Sequence, residues 1–194
     1  VSRKKGSKPF SRRSFMNLEQ LKNEIPDFGR DIRLNIESVL STEGSVGLTP
    51  RQIYGTALSC AYALESKDLA EMAKTQAGGE LDDAMVEAAK GAATIMAMNN
   101  VYYRAQHLME DAELKKLPAR LRMNIIGKPG IEKVEFELMC FAVSAISGCG
   151  QCLTSHLHEL RKAEMSNEGI LSGLKIASVL QATVRALHIA RLKV

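Results

Sequence analysis

Apolar residues return along this chain mostly at intervals of three and four, the spacing that lays them on one face of an α-helix. Leu18, Leu21 and Ile25 form the first such stripe; Asn17 and Gln20 are placed as a capping box, and Pro26 ends the run. Phe28, Ile32, Ile36, Val39 and Leu40 predict a second helix. Gly44 and Gly47 mark 41–48 as a loop. Thr49-Pro50-Arg51-Gln52 combines a cap, a proline in the first turn and a glutamine at the third position. It starts a helix reaching about Leu64, with Ile53, Ala57, Leu58, Ala61 and Leu64 inward. Ser66 caps the next helix, which stops at Gly78-Gly79.

Residues 81–110 read as one long helix, and Ala88, Ala89, Ala92 and Ala93 allow a neighbouring helix close approach. Asn99-Asn100 is a candidate break or kink within it. Met85, Met96, Met98 and Met109 fall at helical spacing and are read as core filling rather than as a soft-ligand surface. Pro118 interrupts a helical region from Ala112 to about Ile126, and Gly127-Lys128-Pro129-Gly130 is a turn. Residues 134–146 read as a buried helix closed by Gly148. Another begins near Cys149 and runs to about Ala163. Ser166 or Asn167 caps the last, with Ile170, Leu171, Leu174, Val179, Leu180, Val184 and Leu187 inward. No stretch alternates apolar and polar residues as a strand would, so the predicted class is all-α. A faint echo at an offset of 49, with His107 and Leu108 falling where His156 and Leu157 do, hints at duplicated helical hairpins.

The length of 194 residues suits one domain with a core of its own. The net charge of +4 misleads, because Arg3, Lys4, Lys5, Lys8, Arg12 and Arg13 stand without an acid in residues 1–15. The remainder carries two more acids than bases and has no nucleic-acid footprint. Residues 1–15 are expected to be a disordered basic tail, most simply a cloning remnant, and 16–194 a single helical domain. No apolar run approaches a membrane span; the longest candidate is 138–146. Four cysteines are too few for a secreted disulfide framework, and no secretory leader is recognised, so a reducing, cytoplasmic setting is expected.

The chemistry concentrates in Cys149-Gly150-Gln151-Cys152, with His156 four residues on and Glu137 twelve before the first cysteine. Two cysteines two residues apart can close a small disulfide or hold a metal. A helix starting at Cys149 would offer its partial positive charge to a thiolate. His156 lies one turn beyond Cys152 on the same face and can take its proton directly or through a water. Glu137, on the preceding helix, can orient the imidazole if the two helices fold back on each other. The predicted relay is Glu137 to His156 to Cys152, with Cys149 as resolving thiol.

The residues around this segment carry a resemblance. Leu121-Arg122-Met123-Asn124-Ile125-Ile126, Lys128-Pro129-Gly130-Ile131, Phe136-Glu137-Leu138 and Phe141-Ala142-Val143-Ser144-Ala145-Ile146 lead into the CxxC and His156. With Ile95-Met96-Ala97-Met98-Asn99-Asn100-Val101 and Tyr103-Arg104, the sequence resembles the alkyl hydroperoxidase D family of the carboxymuconolactone decarboxylase superfamily, from about Met16 to Leu192. The resemblance implies an AhpD-like bundle of helical hairpins, a homotrimer, and thiol peroxidase and disulfide reductase activity on organic hydroperoxides. It implies that Cys152 forms the sulfenic acid, that Cys149 is proton donor and resolving thiol in a Cys149–Cys152 disulfide, and that Glu137 and His156 relay protons. It also implies a peroxiredoxin partner (alkyl hydroperoxide reductase C), no tightly bound cofactor, and electrons from the lipoyl group, as dihydrolipoamide, of a 2-oxoacid dehydrogenase component. Gln151 departs from the histidine common at that position, which bears on thiol tuning.

Plainer readings accompany these. The cysteine pair with His156 and His158 or His107 would make a zinc site in a non-enzymatic assembly protein, but His158 falls on another helical face and no second ligand pair has zinc spacing. A decarboxylase-like enzyme of the same superfamily would not need paired thiols. Glu137 could instead be paired with Arg104 or Arg122. Cys60 and Cys140 read as inert core residues, and His188 as a solvent-facing residue of the last helix.

Overall fold

A computed structural model describes residues 16–192. The expectation of a basic tail at 1–15 lies outside the described residues. Among those described there is no strand. The helices are α1 (Leu18–Asn23), α2 (Arg30–Val39), α3 (Pro50–Ala63), α4 (Lys67–Gln76), α5 (Asp83–Met109), α6 (Ala112–Lys116), α7 (Asn124–Gly127), α8 (Lys133–Ser147), α9 (Gly150–Lys162) and α10 (Asn167–Arg191). A 3-10 turn, Asp27–Gly29, precedes α2.

The local signals act where they stand. Asn17 and Gln20 close a capping box at α1, and Thr49 and Gln52 close another at α3. Ser66, Asp82 and Ser166 accept from backbone N–H groups at the starts of α4, α5 and α10. Each side chain satisfies a donor that the helix cannot satisfy itself, worth about 1 kcal/mol.

α8 is the central element. Phe136, Leu138, Met139, Cys140 and Ala142 are buried along its length, and it packs against α3, α5, α9 and α10. Full burial of a side chain such as Phe136 stabilises by roughly 1.5–3 kcal/mol. α3 packs between α4 and α5, and α10 lies across α2, α3 and α8. Close approach of α10 to the loop after α2 needs Gly169, since a Cβ there would meet the Gly47 carbonyl oxygen at 2.9 Å.

Several expectations are corrected. Phe28 is 63% exposed because the chain enters α2 through the 3-10 turn, which swings its side chain outward. Leu171 and Leu174 are exposed, not inward, because the face of α10 that meets α3 and α8 is centred on Ile170, Ile176, Ala177 and Leu180. Both line a groove of about 710 Å³ beside α2. Leu64 is only partly buried, at the C-cap of α3. Asn99-Asn100 does not break α5, which runs unbroken for 27 residues; both asparagines are buried. Met85 and Met96 are core residues, whereas Met109 is exposed at the end of α5. α10 is long and apolar enough to cross a membrane by length and composition alone, contrary to the expectation that no stretch approaches a span. Its apolar window is 56% buried within the protein.

Candidate active site

The site forms where α8 gives way to α9. Gly148 closes α8 in the left-handed region, φ 67°, and its N–H returns to the carbonyls of Ala145 and Ser144. Glycine reaches this conformation without the steric cost that a side chain brings. The chain reverses there and α9 packs back along α8, which sets Glu137 opposite His156. Arg104 of α5 donates to the Ser147 carbonyl and ties α5 to the same corner. Arg104 is therefore not the partner of Glu137, and neither is the exposed Arg122.

Cys149 is the N-cap of α9, and its Sγ accepts from the Cys152 N–H at 3.3 Å. Sulfur here takes the role usually filled by a serine or asparagine oxygen. The helix N-terminus favours negative charge on that atom. Cys149 and Cys152 are joined as a disulfide with Cα atoms 5.3 Å apart, within the usual range. The pair thus stands in its oxidised form. Cys149 is fully buried, while Cys152 retains 5% exposure and lines a cleft of about 330 Å³. A small molecule in that cleft meets Cys152 first.

His156 and Glu137 are both buried, and His156 Nδ1 lies 2.7 Å from Glu137 Oε2. A buried pair at this distance is a strong orienting contact. The other ring nitrogen, Nε2, lies 3.2 Å from Met96 Sδ. The imidazole makes no hydrogen bond to either cysteine sulfur in this oxidised form; the direct route expected from the one-turn spacing is not made. Glu137, Cys152 and His156 nevertheless open onto the same cleft. A water there can link the ring to the sulfur.

Spacing along α9 alone could not reveal the residues that α5 and α8 contribute. Cys152 Sγ lies 3.8 Å from the Asn99 carbonyl oxygen. Ser144 Oγ donates to Asn100 Oδ1 at 3.0 Å and lies 3.5 Å from Met96 Sδ. Met96, Asn99, Asn100 and Ser144 thus wrap the imidazole and the sulfur from behind. The signal available in the sequence was a polar pair, Asn99-Asn100, inside an apolar stripe. Met123 and Ile126 supply apolar wall, Tyr103 and Gln151 lie at the cleft, and Glu159, paired with Lys133 at 2.6 Å, stands at its edge.

The remaining candidates stand apart. Cys60 and Cys140 are buried; burial pushes the Cys60 thiol up to about 12 and holds Cys140 well above the ordinary thiol range, helped by the Glu137 charge. His107, His158 and His188 are exposed. Among the described residues no group of three or more His, Cys, Asp or Glu side chains could hold a metal ion.

Residues 112–192 match the model of the carboxymuconolactone decarboxylase family. A Brucella canis protein named alkyl hydroperoxide reductase AhpD is 45% identical over 175 residues, which is 90% of this chain and 98% of that protein. Streptomyces griseus and Coxiella burnetii proteins of the same name are 50% and 48% identical, over 86% and 84% of this chain and 93% and 92% of their own lengths. With identity at this level carried across nearly the full length of these relatives, the chain belongs to the alkyl hydroperoxide reductase AhpD family.

Proposed function

We propose that the protein reduces organic hydroperoxides, as the names of its relatives indicate, and that it does so through the Cys149–Cys152 pair. One observation carries the reading: the two sulfurs are bonded beside a cleft that Cys152, and not Cys149, lines, with the Glu137–His156 pair opening onto it. In the dithiol form, His156 draws the Cys152 proton through water, and Glu137 holds the imidazolium. The thiolate attacks the terminal oxygen of R–O–O–H. The S–O bond forms, the O–O bond breaks, and the alkoxide leaves as alcohol with a proton from His156 or from the Cys149 thiol. Sulfur is oxidised to sulfenic acid as the peroxide is reduced. Cys149 then attacks that sulfur, water departs, and the disulfide remains.

A dithiol returns the pair to its starting state by exchange through a mixed disulfide. We assign this role to the dihydrolipoamide of a 2-oxoacid dehydrogenase component. The same exchange would let the protein reduce a disulfide on a peroxiredoxin. The α9 N-terminus, which favours thiolate, and the opening of Cys152 onto the cleft support both steps. A homotrimer in the cytoplasm completes the proposal.

The test is peroxide consumption supported by dihydrolipoamide. Cys149→Ser and Cys152→Ser are each expected to abolish turnover, and Cys152→Ser to abolish the first oxidation as well. Turnover that survives with both cysteines replaced would overturn the reading in favour of chemistry without paired thiols.

A further inference from the structure

Among the polar residues on the cleft, Asn99 is a buried one that belongs to neither the thiols nor the Glu137–His156 pair. Asn99 of α5 lines the cleft beside Cys152, and its backbone carbonyl is 3.8 Å from Cys152 Sγ. The residue is only 4% exposed, yet Oδ1 is buried without a hydrogen-bond partner. Leaving a buried amide unpaired costs about 1–3 kcal/mol, and folded proteins keep few such groups without a use. Its neighbour Asn100 also has a buried amide atom without a partner, Nδ2, but its Oδ1 accepts from Ser144 and it lies off the cleft. An apolar residue of the same volume would fill the Asn99 position without the cost. The residue is kept on the cleft wall, with its backbone carbonyl beside the sulfur.

We propose that the Asn99 carboxamide is a catalytic residue that binds the O–O–H group of the hydroperoxide over Cys152. This rests on the peroxide-reducing reading above. A carboxamide carries a donor and an acceptor side by side. R–O–O–H offers the complement, an ether-like oxygen that accepts and a hydroxyl that donates. As the thiolate attacks the terminal oxygen, the S–O bond forms and the O–O bond breaks. Negative charge then grows on the oxygen attached to R. The Asn99 N–H donates to that oxygen until His156 or Cys149 delivers the proton that makes the alcohol. In the oxidised form His156 points Nδ1 at Glu137 and Nε2 at Met96, so neither ring nitrogen is already aimed at that oxygen. No Lys or Arg is among the residues that line the cleft, so the charge is met by a fixed neutral dipole, which suits uncharged alkyl hydroperoxides.

Two electrophiles separate this role from a structural one. tert-Butyl hydroperoxide needs an O–O bond polarised; iodoacetamide reacts with the same thiolate and has none. Fully reduced Asn99→Ala and Asn99→Leu proteins are compared with the unaltered protein in stopped flow. Both variants are expected to be oxidised about a hundred-fold more slowly by the peroxide, while Cys152 alkylation stays within about two-fold, the signature of one lost transition-state donor. Equal oxidation rates, or oxidation and alkylation slowed in parallel, would overturn the proposal. The unaltered protein gives a second readout should the variants not fold. The Asn99 side-chain amide resonances should shift on saturation with tert-butanol, the reaction product, and unmoved resonances would equally reject the assignment. An unaltered protein that tert-butyl hydroperoxide cannot oxidise rejects the peroxide reading itself, an outcome distinct from the others.

Discussion

A thiol reacts as its thiolate, and the four cysteines of this chain divide on that rule. Cys152 borders a cleft at the start of a helix, whereas Cys60 and Cys140 sit in apolar helices where burial holds them as neutral thiols. Native reduced protein should therefore take up iodoacetamide at Cys152 at neutral pH and leave Cys60 and Cys140 unlabelled until denaturant is added; peptide mass spectrometry reads the sites. Glu135 offers a pH-dependent case. It is 10% exposed and 3.4 Å from Arg51, and burial raises its carboxyl above the usual 4.5, with Arg51 opposing the shift. A carboxyl that binds its proton more tightly when folded costs stability as pH rises through 4.5 and beyond. Replacing it in Glu135→Gln removes that cost, and Arg51 keeps its ion pair with Asp82 at 3.1 Å. The melting temperature of the variant relative to the unaltered protein should increase between pH 4 and pH 7.

At the level of the element, the α8–Gly148–Cys149–α9 corner carries the site. Gly148 has a positive φ and open space where a Cβ would go. Gly148→Ala should therefore cost about 1 kcal/mol through backbone strain alone, without a steric clash. Urea unfolding measures the loss, and the distance from Glu137 to His156 should survive it. The corner was legible in advance: Gly148 closes the buried helix and Cys149 caps the next, as the sequence pattern required. The long α5 was harder to read. Asn99 and Asn100 resembled a helix break because buried asparagine is rare in an apolar stripe. Asn100 is held there by Ser144 of α8, which donates to its Oδ1, whereas the Asn99 side-chain oxygen has no such partner.

For the molecule as a whole, the proposed redox cycle requires that both states stay folded. The disulfide closes a very short loop, so opening it should change stability by no more than about 2 kcal/mol. Circular dichroism melts with and without reductant should retain the same helical signal and differ by only a few degrees. The proposed trimer predicts sedimentation at three times the 21.2 kDa chain mass. A species at the mass of one chain would reject it.

By itself the sequence determined the all-helical class, most helix starts, and the four residues that converge at the corner, because caps, proline, glycine and a spacing of three and four act over one or two turns. It also carried the family resemblance that the relatives uphold. It did not determine which apolar residues face inward at the ends of α2 and α10, since Phe28, Leu171 and Leu174 obey the helical period yet lie outside the face their neighbours cover. It foresaw Glu137 beside the imidazole but not what faces the other ring nitrogen. The one-turn spacing placed His156 beside Cys152, but a side chain takes its partners from every helix packed around it. Only the packing of α5 and α8 against α9 decided that Met96 faces Nε2 and that Asn99 lines the cleft with its buried Oδ1 unpaired.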